Sequence, residues 1–499
     1  MQRIDPLRAA WPLFRLQTSR AIEQQAQAAL PPYALMERAG DAVGRLALAL
    51  APHASRIWVA AGPGNNGGDG LEAATRLGAA GKAVSVTLQG DPARLPVDAA
   101  QALARARAAG VSISDQRPAE LGTHDLAIDA LLGIGASRAP AGALADLIGH
   151  LNNLPCPILA VDLPSGLNAD TGQAMGGPVV HAAHTLALLT LKPGLVTGIG
   201  RDCSGSLWLD RLQVEAFDVP DAWLSGGVAM LADRMPRSHA HHKGSYGDVY
   251  VVGGASGMRG AAMLAARAAH AAGAGRVYVS LLDDASVTHD SLRPELMFRP
   301  QWWLRPAPEI AAGTVVCGCG GGSPVREALP PLLTHATRLV LDADALNAIA
   351  GDTSLQTQLH ARAARDRQTV LTPHPLEAGR LLNVGAAHVQ ANRLAAAQQL
   401  ADRYACAIVL KGSGSVIAGP GVVPHVNPTG TAALATAGTG DVLAGWIGGT
   451  WAQAATLSLA TALQGAAASV FRHGLAGERA DEVPLRAANL IDAMMRVRP

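Results

Sequence analysis

The sequence predicts an α/β fold built from two tandem three-layer domains, each a mainly parallel sheet between layers of helices. Short apolar runs alternate with helix-length stretches through the first half. The rhythm breaks over 219–245 and then restarts. The chain has 499 residues and is 49% hydrophobic. Single cores stop growing at about 250–300 residues, so two or more are expected.

The elements follow in order. A helical stretch at about 18–50 carries "LMERAG". "RIWVAAG" reads as a strand, "GLEAATRLGAAG" as a helix and "KAVSVTLQGD" as a strand. A helix near 97–109, the strand "HDLAIDALLG", a helix near 141–151 and the strand "CPILAVDLPSG" come next, then short strands in "HTLALLTLK" and "GSLWLDRL". Pro, Gly and polar residues cluster over 219–245. The boundary is placed at 222–230, giving domains 1–225 and 226–499. The pattern resumes with "GDVYVVGG", a helix at 260–274, "GRVYVSLL", "GTVVCG", "RLVLDADALN", "TVLTPH", a helix at 391–405 and "CAIVLKG". The remainder reads as mostly helical. No sequence repeat relates the halves.

Composition narrows the partners. A net charge of +1 favours neither nucleic acid nor an anionic membrane. The segment 442–471 has no charged residue, but glycines and polar residues interrupt it, so it reads as two buried helices rather than a membrane span. The five cysteines, Cys156, Cys203, Cys317, Cys319 and Cys406, mostly lie in apolar runs and read as reduced thiols of a cytoplasmic protein. The first 20 residues lack the apolar core of a secretory signal. Cys317 and Cys319 form C-x-C without a second pair, which does not read as a zinc site. His239, His241 and His242 read as connector residues.

"AGPGNNGGDG" at 61–70 poses the sharpest question of the first half. Gly62, Gly64 and Gly67 fit G-x-G-x-x-G, which turns a strand into a helix under a pyrophosphate. Backbone amides alone serve that purpose, yet Asn65, Asn66 and Asp69 occupy the same turn. "DALLGIGASRAP" and "VDLPSGLNADTG" follow two other strands, so the three loops converge at the carboxyl ends of one sheet. Asn66, Asp129 and Ser165 offer an all-oxygen set suited to a hard cation, and the shortage of carboxylates favours a monovalent one. Gly133 to Ala139 supplies amides for phosphate. Asp162, after a buried strand, is placed for proton transfer, and Lys192 follows another apolar strand. Asp129 and Asp162 each also suit a turn or cap.

In the second half "ATAGTGDVLAGWIGG" opens a helix at Gly438, Gly440 and Asp441. Its amides suit phosphate charge, and Asp441 suits a base that accepts a proton from an attacking hydroxyl. Lys411 in "LKGSGS", His374 and Glu377 in "LTPHPLE", and Asp342, Asp344 and Asn347 in "LDADALN" follow other strands. "CGCGGG" at 317–322 is a side-chain-poor loop. No Walker A motif is present.

"LMERAG", "NNGGDG", "DALLGIGASR" and "VDLPSG" together resemble the YjeF-type N-terminal domain of NAD(P)H-hydrate epimerases over about 16–217. The resemblance implies a Rossmann-like domain in which Asn65, Asn66, Gly67, Gly68 and Asp69 contact a damaged nicotinamide dinucleotide. Gly133, Ile134, Gly135, Ala136, Ser137, Arg138, Ala139 and Asp162 complete that contact set. It also implies K⁺ at Asn66, Asp129 and Ser165. Over about 237–496, "HKGSYGDVYVVGG", "GAAMLAARAAHAAGAGRV", "RPELM", "DADALN", "TPHPLE", "LKGSGS" and "AGTGDVLAG" resemble the ribokinase-like ADP/ATP-dependent NAD(P)H-hydrate dehydratase domain. That resemblance implies Lys411, Gly412, Ser413, Gly414, Ser415 and Gly440 at the adenine nucleotide, with Ala261, Gly320, His374 and Asp441 at the hydrated cofactor. Two departures stand out: Leu376 and Cys319 replace the family's usual glycine and proline.

The expected activity is bifunctional repair: epimerisation of R and S NADHX and NADPHX, then dehydration of the S form with ADP or ATP as co-substrate and Mg²⁺. Asp162, Lys192 and Asp441 are the catalytic candidates. A homo-oligomer is expected. A vitamin or sugar kinase and a non-catalytic nucleotide-binding module are the rival readings.

Overall fold

The computed structural model describes residues 1–118, 120–215, 219–231, 237–283, 287–480 and 485–497. The chain forms two compact units. The first is Met1–Asp5 with Trp11–Ala222, and the second is Pro6–Ala10 with Trp223–Pro499.

The first unit's sheet contains β1 (Gln2–Arg3), β2 (Arg56–Ala61), β3 (Ala83–Leu88), β4 (Ser112–Ser114), β5 (Leu126–Ala130), β6 (Ile158–Val161), β7 (His184–Leu188) and β8 (Ser206–Asp210). Their order is β1-β8-β7-β6-β5-β2-β3-β4. All neighbours are parallel except β1 and β8. The order reverses between β2 and β5, so loops leaving these strands part and open a crevice. Alternate faces of the strands enter two cores, one around Val59, Leu71 and Ile128, the other around Trp58, Ile148 and Leu151.

The expected helix at 18–50 is two helices, Leu16–Ala29 and Ala34–Leu50. Pro31 and Pro32 interrupt it, and Tyr33 has φ +68°, which no continuing helix allows. The helix expected from Gly70 begins at Asn65, so the asparagines and Asp69 occupy its first turns.

The second unit's sheet contains β9 (Ala222–Leu224), β10 (Asp248–Gly253), β11 (Arg276–Leu281), β12 (Met297–Phe298), β13 (Thr314–Cys317), β14 (Arg338–Leu341), β15 (Gln368–Leu371), β16 (Ala407–Leu410), β17 (Val416–Gly419) and β18 (Val422–Val426). The order is β12-β11-β10-β13-β14-β15-β16-β17-β18-β9, parallel as far as β16. β17 and β18 are antiparallel and lie in a stretch that reads as mostly helical; their short runs mix Gly and Pro with β-branched residues. Part of the expected connector is also structured. Trp223 and Leu224 pair in parallel with His425 and Val426, and a short helix spans Gly227–Leu231. A three-residue strand is too short to show a period. Residues 232–236 of that connector lie outside the described residues.

The charge-free segment folds as the helices Thr439–Ala452 and Leu459–Glu478, most of whose residues are buried. Among the described residues no helix is long and apolar enough to cross a membrane. Glycine explains the composition: Gly445 and Gly449 press on the carbonyls of Ala265 and Ala269 in the helix Arg259–Ala271. A Cβ on Gly445 would lie 2.0 Å from the Ala265 oxygen. Gly445→Ala is expected to destabilise the second unit by about 1–3 kcal/mol through overpacking. Gly465→Ala, where the nearest atom would be 3.9 Å away, should be neutral or stabilising by about 0.5–1 kcal/mol. Urea midpoints of the two variants check the contrast.

Candidate functional sites

The carboxyl ends of β2 and β5 open on a cavity of about 480 Å³ within the first unit. Asn65, Asn66, Asp69, Gly133, Ile134, Gly135, Ala136, Asp162 and Lys192 are among its lining residues. The three glycines of the opening motif divide the labour. A Cβ on Gly62 would lie 1.7 Å from the Leu131 oxygen, and one on Gly67 would lie 2.0 Å from the Gly62 oxygen, so both serve backbone contact. Gly64, the N-cap of the helix Asn65–Ala79, lines the cavity, and its absent Cβ would meet nothing within 4 Å. The helix N-terminus therefore faces the cavity with free approach to its amides. Gly67 and Gly68 are buried beneath this surface, while Ser137, Arg138 and Ala139 are exposed and lie outside the lining.

Asp162 holds φ +68° at the end of β6. Its carboxylate accepts a short hydrogen bond from the Lys192 ammonium, which also donates to the Leu188 carbonyl at 2.9 Å. Lys192 is 1% exposed, so the ion pair is shielded from water. Glu23, Asp69 and Asp98 also line the cavity. Burial, then the charges of Asp162, Glu23 and Asp98, push Asp69 well above the usual carboxylate range. Burial and Asp162 also raise Glu23, against Lys192 and Arg20. Glu23 escaped the sequence reading because it sits on a polar helix remote from every loop motif.

Beneath the cavity, Ser165 Oγ donates to Asp129 at 2.6 Å, and Ser165 N donates to the same carboxylate at 2.8 Å. Burial raises Asp129 to about 6, opposed by the Ser165 and Leu131 hydrogen bonds. The Asn66 side chain lies against Gly133, and its buried Nδ2 has no partner. One carboxylate with hydroxyl, amide and carbonyl oxygens suits a large monovalent cation better than Mg²⁺ or Ca²⁺.

In the second unit, loops after β10, β13, β14, β15 and β16 converge at the carboxyl ends. Lys411 follows β16 and donates to Asp342 Oδ1 at 2.7 Å. Burial opposes its charge, but Asp342 and then Glu377 hold its pKa above the ordinary value. Lys411 Nζ would lie 3.4 Å from a Cβ on Gly440, beside the N-terminus of the helix Thr439–Ala452. A helix N-terminus and a nearby ammonium would by themselves keep Asp441 ionised. Instead burial, then Asp342, raise Asp441 to about 6, while the Cys319 thiol and Lys411 pull it down. The reason is that Lys411 spends its direct contact on Asp342.

His374 caps the helix Pro375–Leu382. Its Nδ1 accepts from the amides of Leu376 and Glu377 at 3.1 and 3.3 Å, and Glu377 accepts from His374 N at 2.8 Å. Leu376 is 48% exposed, so this turn has no need of glycine. Gly320, with φ +57°, packs on Ala261: a Cβ there would come 2.9 Å from that side chain. Arg393 was not anticipated. Its buried guanidinium donates to the carbonyls of Leu410 and Lys411 at 3.1 Å and lies against Gly412, holding the 411–415 loop. A lone arginine on a helix carries no sequence signal for that role.

Glycine-lined helix N-termini at parallel-sheet crevices, each with carboxylates close by, mark a tandem α/β protein of the nucleotide-binding class. The YjeF-related protein N-terminus model matches residues 32–194, and the NAD(P)H-hydrate dehydratase model matches 249–496. The chain is 36% identical over 428 residues to the bifunctional NAD(P)H-hydrate repair enzyme Nnr of Escherichia coli strain K12, covering 83% of this chain and 80% of that protein. It is also 36% identical over 479 residues to the Nnr of Coxiella burnetii, covering 94% and 95%. Among solved structures it is similar to the ADP/ATP-dependent NAD(P)H-hydrate dehydratase of Bacillus subtilis co-crystallised with ATP/Mg²⁺. That match has 29% identity and a TM-score of 0.44, over 54% of this chain and 94% of that one. The chain belongs to the bifunctional NAD(P)H-hydrate repair enzyme family: it is an enzyme with a YjeF-type epimerase domain followed by a dehydratase domain.

The glycine roles are separable. Gly67→Ala should lower stability by about 1–3 kcal/mol through backbone overlap. Gly64→Ala should fold with an unchanged melting temperature, because its added methyl enters the cavity. Thermal unfolding of the two variants checks this.

Proposed function

We propose that the first domain, 1–225, interconverts the R and S forms of NADHX and NADPHX, and that the second, 226–499, dehydrates the S form using ADP or ATP with Mg²⁺ on the nucleotide phosphates. The observation that carries the reading is the pairing of carboxylates with helix N-termini in both units.

In the first domain the helix N-terminus at Gly64 and the amides of Gly133 to Ala136 receive the dinucleotide phosphates. The ring nitrogen's electron pair expels the hydroxyl on the adjacent carbon, and water returns to either face. Asp162, held by Lys192, accepts the proton of incoming water, while Asp69, whose carboxyl burial pushes well above the usual range, suits a donor to the departing oxygen. K⁺ at Asn66, Asp129 and Ser165 would fix the loops after β2, β5 and β6. The oxygen chemistry of these three residues supports this assignment.

In the second domain Lys411, Gly412, Ser413, Gly414, Ser415 and Gly440 form the nucleotide side, and Ala261, Gly320, His374 and Asp441 the hydrated-cofactor side. The substrate hydroxyl attacks the terminal phosphorus while Asp441 takes its proton, and the terminal phosphoanhydride bond breaks to release AMP from ADP, or ADP from ATP. Phosphate then leaves the ring with its C–O electron pair, a neighbouring ring carbon loses a proton, and the double bond is restored. The five thiols, all buried and unpaired, support a cytoplasmic location.

Asp441→Asn should lower dehydration by about 10²–10⁴-fold and leave epimerisation unchanged. Because Asp441 ionises near 6, the wild-type dehydration rate should fall about tenfold per pH unit below that value. Recovery of NADH absorbance from mixed NADHX epimers measures both; a near wild-type Asp441→Asn rate at saturating nucleotide would overturn the assignment.

K⁺ and a proton compete for Asp129. The melting-temperature gain from K⁺ over Na⁺ should therefore be present at pH 7.5, shrink through 6 and vanish near pH 5. An equal gain at both extremes would place the cation elsewhere.

A further inference from the structure

The loop after β13 brings one thiol into the second site. Cys319 is fully buried, as is Asp342 at 2% exposure, while Asp441 is partly exposed. One ligand atom from each lies within 4.8 Å of the other two. Among the described residues this is the one group of three or more His, Cys, Asp or Glu side chains so arranged. Asp342 divides its oxygens. Oδ1 accepts from Lys411 and from Thr372 Oγ1, both at 2.7 Å, whereas Oδ2 faces the Cys319 sulfur at 4.0 Å. One Asp342 oxygen, the sulfur and the Asp441 carboxylate therefore converge on one point, reached from solvent past Asp441.

We propose that Cys319, Asp342 and Asp441 form a binding site for a thiophilic divalent cation, with Zn²⁺ or Cd²⁺ as the matching ions. Tetrahedral Zn²⁺ ligation sets S–O and O–O separations of about 3.3–3.6 Å, so closure asks for about an ångström of movement. The partly exposed Asp441 side chain can supply it. The fourth position stays open to water. On binding, the Cys319 thiol loses its proton to the solvent buffer and the thiolate coordinates the metal. Burial holds the free thiol protonated until a metal arrives. Thiolate sulfur selects a soft ion over Mg²⁺, which prefers oxygen. The C-x-C spacing had pointed away from zinc, and Cys317 indeed takes no part: two aspartates from distant loops complete the set. A bound cation would occupy Asp441 and block dehydration, a consequence that rests on the proposed role of Asp441 as base.

The test uses the full-length protein and CdCl₂ alone, reading the ultraviolet sulfur-to-cadmium charge-transfer band. One saturable equivalent is expected in wild type and in Cys317→Ser. The band should vanish in Cys319→Ser and Cys319→Ala, and Asp342→Asn should weaken binding at least tenfold. Two substitutions at Cys319 guard against a folding defect, which circular dichroism checks. No band in wild type, or a band surviving in folded Cys319 variants, would overturn the proposal. With the band established, Zn²⁺ should inhibit dehydration, and the inhibitory concentration should rise at least tenfold in Cys319→Ala. Binding without inhibition would uphold the site and overturn the role of Asp441 instead.

Discussion

Backbone crowding at the two points where strand order reverses is the constraint on which both sites depend. In the first unit Gly62 leaves β2 against the Leu131 carbonyl after β5, and Gly67 then seats the helix on Gly62 itself. In the second unit Gly253 leaves β10 against the Cys319 carbonyl after β13. Gly318, with φ +117°, abuts the Asp342 carbonyl after β14. A side chain at any of these positions would overlap a neighbouring backbone and push the loops apart. The close approach brings functional side chains from separate strands within reach of one ligand. The same economy recurs where Gly445 and Gly449 let the Asp441 helix lie on its neighbour.

Charge burial then sets the chemistry. Asp162 holds the buried Lys192, and Asp342 holds the partly buried Lys411. Removing either partner would leave an uncompensated charge in a dry site, so each pair keeps its geometry without measurable help from solvent. Carboxyl groups lacking such a partner behave differently. Asp69 is driven well up by desolvation and neighbouring carboxylates, and Asp129 and Asp441 to about 6 by desolvation that hydrogen bonds and, for Asp441, the Lys411 charge only partly offset. Each unit thus contains a lysine-paired carboxylate beside one held closer to protonation. This is the arrangement a proton transfer near neutrality requires.

Arg393 and Arg362 show how the scaffold supports these groups. Arg362 donates to four backbone carbonyls, those of Leu332, Leu333, Ala336 and Gln368, and ties the helix Val325–His335 to β15. Arg393 does the same for the end of β16 and the loop that follows it. Both donate to backbone carbonyls at element ends.

The sequence by itself determined the class of fold, the tandem organisation and most of the loops that carry chemistry. Strand-length apolar runs and glycine-rich turns are local signals, and parallel topology sends their loops to the same side. It did not show the break at Pro31 and Pro32, the strands at 222–224 and 416–426, or the burial of Gly67 and Gly68 beneath the cavity rather than at its wall. Those depend on pairing partners and neighbours far along the chain. Glu23, Arg393 and the meeting of Cys319 with Asp342 and Asp441 were likewise decided by tertiary structure. Each is an ordinary residue in its own segment. Its role comes from the desolvation and the partners that only packing supplies.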